Sequence, residues 1–178
     1  MSEELWSPPC PENFGAVSKG REDVYGCGRP TGIGNTKKWI DEVKKKNISR
    51  IVVLCEPKDY SYFIEKFEDE FGQKNILRAT VEDYYLCDKE LLNETIIPFI
   101  NDSIEQKEKV VVHCNAGSGR TGHVLAAWLY SNDHTLDESE AIRLVSLGGG
   151  GRRDPSEAVR NGNATLDELN NLIRSTRC

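Results

Sequence analysis

The sequence predicts a single α/β domain built on a central, mostly parallel sheet flanked by helices. Three observations lead there. Ile51 to Cys55 and Val110 to Val112 are unbroken apolar runs rich in β-branched residues, as expected of strands buried on both faces of a parallel sheet. Such runs alternate along the chain with segments whose apolar residues recur every three to four positions. At 178 residues, 38% of them hydrophobic, the chain can fill one core and leaves no room for a second unit of similar size. Residues 1–20 are assigned to an N-terminal arm and residues 21–178 to the domain.

The elements follow in order. Residues 1–20 are polar and interrupted by proline, and read as a mobile arm or an edge segment held by Trp6 and Phe14. From Val24 to Gly34 a short strand passes into turns, because so many glycines cannot hold a regular element. Asn35 or Thr36 caps a helix bearing Trp39, Ile40 and Val43, and Asn47 suits its left-handed end. Lys44, Lys45 and Lys46 read as solvated cations near the negative end of that helix. After the Ile51 to Cys55 strand, Phe63, Ile64, Phe67 and Phe71 line one face of a helix that stops at Gly72. Ile76 to Glu82 reads as a strand and Asp83 to Asp88 as a loop. Leu92, Ile96, Phe99 and Ile100 then mark a helix in which Pro98 forces a kink or a later start. Val124 to Leu129 is apolar nearly all round and should form the buried central helix, with His123 packing rather than ligating. Thr135-x-x-Glu138 and Thr165-x-x-Glu168 have the spacing of capping boxes, opening helices with Ala141, Ile142, Leu144 and Val145, and with Leu169, Leu172 and Ile173. Four glycines at 148–151 end the first of these.

Composition bounds the partners. A formal charge of −6 argues against nucleic acid or an anionic membrane as a general partner, since both need a basic surface. Residues 1–14 show neither the basic start nor the apolar core of a secretory signal, and no stretch approaches a membrane span. The six cysteines are widely spaced and form no Cys-x-x-Cys pair, which fits neither a zinc site nor a disulfide scaffold. We therefore expect reduced thiols, a cytoplasmic location, a monomer, and no metal or other cofactor.

The stretch from Val110 to Gly122 runs from strand through a glycine-bearing loop into a helix, and there the chemistry concentrates. In such a turn the backbone N–H groups of Asn115, Ala116, Gly117, Ser118 and Gly119 converge, and the helix N-terminus adds positive potential at the same point. An anion belongs there. Arg120 offers a planar fork able to grip two phosphoryl oxygens, and Cys114 lies beneath, where those donors favour the thiolate. A nucleotide-binding loop is excluded, because Cys114 stands where its first glycine should be and Arg120 where its lysine should be.

His113, Cys114, five residues, Arg120 and Thr121 resemble the signature of the cysteine-dependent protein phosphatases, in their compact tyrosine and dual-specificity forms. The longer match, Cys-x-Ala-Gly-x-Gly-Arg-Thr-Gly, is highly specific. The resemblance implies the cysteine-phosphatase fold from about Val24 to Arg174, and hydrolysis of phosphomonoesters through a phosphocysteine. It implies that residues 115–119 and Arg120 bind phosphate, that Thr121 helps the thiolate leave, and that His113 steadies the loop. The glutamine that places the second-step water in relatives is missing; Asn161, Asn163 and Ala164 stand nearest its place, so either an asparagine substitutes or the general acid alone holds the water.

Two carboxylates compete as general acid. Asp88 precedes Lys89-Glu90-Leu91-Leu92 and reads as a helix N-cap, whereas Asp83 opens a loop after a strand and has no local use. Val-Glu-Asp resembles the family's acid loop, lacking its later proline at Cys87, so Asp83 is the candidate. The expected substrate is phosphotyrosine in a phosphorylated protein, with phosphoserine and phosphothreonine as further options. A phosphoinositide or RNA 5′-phosphate is the alternative, disfavoured because lipid-directed relatives carry lysines where Asn115 and Ser118 stand. A pseudophosphatase that binds without hydrolysis is a third reading.

Overall fold

The computed structural model describes residues 9–177. Its five-stranded sheet has the order β1-β2-β5-β3-β4, formed by β1 (Gly15–Ser18), β2 (Arg21–Gly28), β3 (Ile48–Val53), β4 (Ile76–Arg78) and β5 (Lys109–Cys114). Only β1 runs antiparallel to its neighbour; β2, β5, β3 and β4 are parallel. Gly15–Ser18, within the segment read as an arm or edge segment, is the edge strand, and Phe14 stacks at a tilt on Tyr25 with ring centroids 5.7 Å apart. Trp6 lies outside the described residues.

Alternation along β5 sorts its side chains between two cores. Val110, Val112 and Cys114 face one side, where α5 (Ile97–Glu105), α6 (Gly119–Asn132), α7 (Glu138–Ser146) and α9 (Leu166–Arg174) pack. Val111 faces the other, with Trp39, Ile40 and Val43 of α1 (Thr36–Lys45) and Phe67 and Phe71 of α3 (Ile64–Phe71). Short helices α2 (Pro57–Tyr60), α4 (Lys89–Leu91) and α8 (Glu157–Arg160) lie between these elements. Helix α6 is buried from Gly119 to Tyr130, so burial on all sides replaces the amphipathic stripe of its neighbours.

Several local expectations shift. β3 begins at Ile48 and ends at Val53, although Leu54 N–H still donates to His113 O at 2.9 Å. β4 is shorter than the Ile76 to Glu82 run; Ala79 and Val81 still donate to Val53 O and Leu54 O before the chain leaves the sheet edge. Ahead of Pro98 the helix widens into a π-turn over Leu92–Ile96, which accommodates the N–H that proline lacks. Asn35 does not cap α1: its side-chain amide donates to Thr31 instead. α7 is capped by Asp137, which accepts from Glu140 N–H at 2.8 Å, while Thr135 donates to Asp133; the expected box fails because Asp137 is the better-placed oxygen. The Thr165 box forms reciprocally with Glu168, and Asn47 is left-handed at φ 60°.

Candidate active site

The loop from Cys114 to Gly119 starts at the C-terminal end of β5 and ends at the N-terminus of α6, beside Gly28 of β2. Parallel strands place such a loop at the carboxyl edge of the sheet, where α/β proteins bind ligands. Gly117 takes φ 73°, and a side chain there would strike the backbone of Cys27 and Gly28, so only glycine fits. Its carbonyl accepts from the side-chain amide of Asn13 at 2.8 Å, and the same Asn13 accepts from Gly150 N–H at 2.6 Å. Ser118 Oγ donates to Arg152 O at 2.8 Å, and Asp154 N–H donates to Ser118 O. Arg153, 3% exposed, donates to Gly15 O, Ala16 O and Gly26 O. The loop is thereby held from both sides before any ligand arrives.

A cavity of about 240 Å³ opens over this loop, walled by Asp83, Tyr84, Cys114, Asn115, Ala116, Ser118, Gly119, Arg120 and Glu157. Thr121 Oγ1 donates to Cys114 Sγ at 3.1 Å from below, stabilising negative charge on sulfur. Arg120 is 1% exposed. One of its terminal nitrogens donates to Val81 O at 3.1 Å, the other meets Asp83 Oδ1 at 3.2 Å, and Nε has no partner among the described residues. A buried donor without a partner costs roughly 1–3 kcal/mol, a cost an incoming anion removes. Gly117 belongs to the loop but does not line the cavity; its role is to turn the chain.

His113 stays behind the loop, ringed by Trp39, Phe63 and Phe67 at centroid distances of 5.5, 5.6 and 5.9 Å. Its Nδ1 lies 3.4 Å from Cys114 O and 3.7 Å from Cys55 Sγ. Burial pushes its pKa down to about 3, so it remains neutral. His123 is also buried, with a pKa lowered to about 4 by burial. Neutral, it accepts from Cys87 N–H at 2.9 Å through Nε2 while Nδ1–H donates to Gly119 O at 2.9 Å. It thus ties the loop bearing Asp83 to the head of α6, a link the sequence did not announce. Asp88 sits outside the cavity and accepts from Leu91 N–H at 3.2 Å as the cap of α4.

Nothing in the local sequence marks Glu157 or Asn13, which reach the cavity and the loop through tertiary contact, while Arg153 ties the segment after α7, which lies near the pocket in related phosphatases, to β1 and β2. Asn161 donates to Glu157 O and Asn163 to Tyr84 O, and neither lines the cavity.

A buried thiol over a helix N-terminus, with an arginine fork beside it on a parallel sheet, defines a cysteine-dependent phosphatase. The family described as "Polymorphic toxin system, DSP-PTPase phosphatase" matches residues 25–152, and the chain belongs to it. No curated protein matches the chain. Among solved structures, Tk-PTP in its active form is 26% identical with a TM-score of 0.66, over 84% of this chain and 92% of that one. The kinase associated phosphatase is 20% identical with a TM-score of 0.69, over 89% and 96%. PTPMT1 in complex with PI(5)P is 17% identical with a TM-score of 0.70, over 93% and 97%. The last two likenesses show the fold alone.

Proposed function

We propose that this phosphatase removes phosphate from phosphotyrosine, and also from phosphoserine and phosphothreonine, in protein substrates through a phosphocysteine. The observation that carries the reading is Arg120, buried, with Nε unpartnered among the described residues, lining the same cavity as Cys114. A phosphoryl group over Cys114 takes up Nε and the loop N–H groups, which are already fixed and so need no reorganisation as charge develops. The thiolate attacks phosphorus, the bond to the ester oxygen breaks, and Asp83 gives that oxygen a proton. Asp83 becomes available because the phosphoryl oxygens compete with it for Arg120. Thr121 Oγ1 then stabilises the departing thiolate in the second step.

The substrate class rests on charge. Glu157 walls the cavity beside Asp83, and its carboxylate repels a second phosphate close to the first, which disfavours polyphosphorylated lipids. The cavity of about 240 Å³ has room for a phosphoryl group on a short as well as a long side chain. Cys10, Cys27, Cys55, Cys87 and Cys114 are unpaired thiols, which supports action in a reducing compartment such as the cytoplasm. Turnover of p-nitrophenyl phosphate by the wild type and its loss in Cys114→Ser test the chemistry. A screen of phosphopeptides against phosphoinositides and RNA 5′-phosphates tests the substrate, and preference for either of the latter overturns the protein reading.

A further inference from the structure

We infer that Glu157 holds and deprotonates the water that hydrolyses the phosphocysteine, doing the work for which this chain has no glutamine. The inference rests on the phosphocysteine reading above. Its observation is positional. Glu157 opens α8, and its carboxylate lies so close to Gly119 that any side chain at 119 would collide with it. It lines the same cavity as Cys114, Arg120 and Asp83. Asn161 and Asn163, which stand nearest the place of a water-placing glutamine, spend their amides on Glu157 O and Tyr84 O. Glu157 is therefore the polar side chain that α8 presents to the site.

Its placement is rigid. Glu157 N–H donates to Asp154 O at 3.1 Å, Asp154 N–H donates to Ser118 O, and Pro155 packs against Gly122. The segment carrying the carboxylate is thus bolted to the loop carrying the nucleophile. Half-burial raises the pKa of Glu157 above the ordinary carboxylate range, helped by Asp83 and Asp154 and opposed by Arg120 and Arg160. A carboxylate with a raised pKa is the stronger base.

The step balances without a further reagent. Water oxygen attacks phosphorus, the phosphorus–sulfur bond breaks, and its electron pair returns to Cys114 as thiolate. The proton of the water goes to Glu157. Asp83, which gave its own proton to the leaving oxygen in the first step, is already a carboxylate, and proton exchange with solvent resets both groups.

The test is rapid-quench kinetics with p-nitrophenyl phosphate on the wild type, Glu157→Gln and Glu157→Ala. Glu157→Ala should keep the burst of nitrophenol, accumulate protein carrying one phosphoryl group on Cys114, and turn over roughly 10²-fold more slowly in the steady state. Glu157→Gln, which can still hold the water but cannot take its proton, should show the same pattern with a smaller loss. Dividing the steady-state rate by the burst amplitude, which counts folded sites, prevents a partly unfolded preparation from imitating the effect. The acid limb of the wild-type steady-state pH profile should vanish in Glu157→Gln. Unchanged steady-state rates per site overturn the inference, as does a burst rate that falls in parallel with the steady state. Failure of the underlying reading looks different: the wild type itself then yields no phosphorylated Cys114.

Discussion

Replacing Asp83 by asparagine should move turnover and inhibitor affinity in opposite directions. Asp83 Oδ1 lies 3.2 Å from the Arg120 fork, so at an effective dielectric near 20 the gross attraction is about 5 kcal/mol. Asp83 is 36% exposed, and hydration and side-chain ordering bring the net value to about 1 kcal/mol or less. Vanadate, which seeks the same guanidinium, should therefore bind up to roughly fivefold tighter to Asp83→Asn. Hydrolysis of a phosphotyrosine peptide should instead slow by roughly 10²–10⁴, because the leaving oxygen loses its proton donor. p-Nitrophenyl phosphate, whose leaving group needs little protonation, should slow less. Asp88→Asn serves as the control: it exchanges one good N-cap for another at the head of α4 and should change both quantities by less than about twofold. The comparison needs kcat on both substrates and the inhibition constant of vanadate for each variant. If Asp88→Asn is the crippled protein, or if Asp83→Asn slows both substrates alike and weakens vanadate, the reasoning fails.

Further outcomes follow from the same geometry. Cys114→Ser should lose turnover while keeping vanadate or phosphate binding, since Arg120 and the loop N–H groups remain; wild-type rates would end the phosphocysteine mechanism. Arg120→Lys should also lose turnover, because a point charge cannot replace a fork, and titration of phosphate binding would show weakened affinity. Gly117→Ala forces φ 73° on a residue with a side chain aimed at the Cys27 backbone; we expect a loss of about 2 kcal/mol, or a melting temperature lower by about 4–8 °C. His113 and His123 are held neutral, with pKa values lowered from 6.5 to about 3 and about 4. The unfolded chain thus binds more protons below pH 6.5, so the stability they lend is full above that pH and falls as pH drops toward 4. Each should cost about 2 kcal/mol between pH 7 and 5, readable in urea midpoints, and a flat profile there would contradict their burial.

Local patterning in the sequence determined the elements that carry the chemistry. The strand, loop and helix of residues 110–122 are contiguous, so the convergence of Cys114, the loop N–H groups and Arg120 follows from backbone geometry within one stretch. The Asp88 cap is local for the same reason, as is the alternation of strands and helices that specifies a parallel sheet. Tertiary structure decided what surrounds that stretch. Asn13 reaches Gly117 across 104 positions and Arg153 reaches Ala16 across 137, neither with a periodicity or spacing to betray it. Glu157 carries no signal of its own in the sequence, and becomes part of the cavity because Gly119 leaves room for its carboxylate. His123, a packing residue by pattern, becomes a bridge between Cys87 and Gly119 because folding brings two loop carriers within hydrogen-bond reach of one ring. Periodicity reports which face of an element is buried, and it is silent on which distant side chain that face will meet.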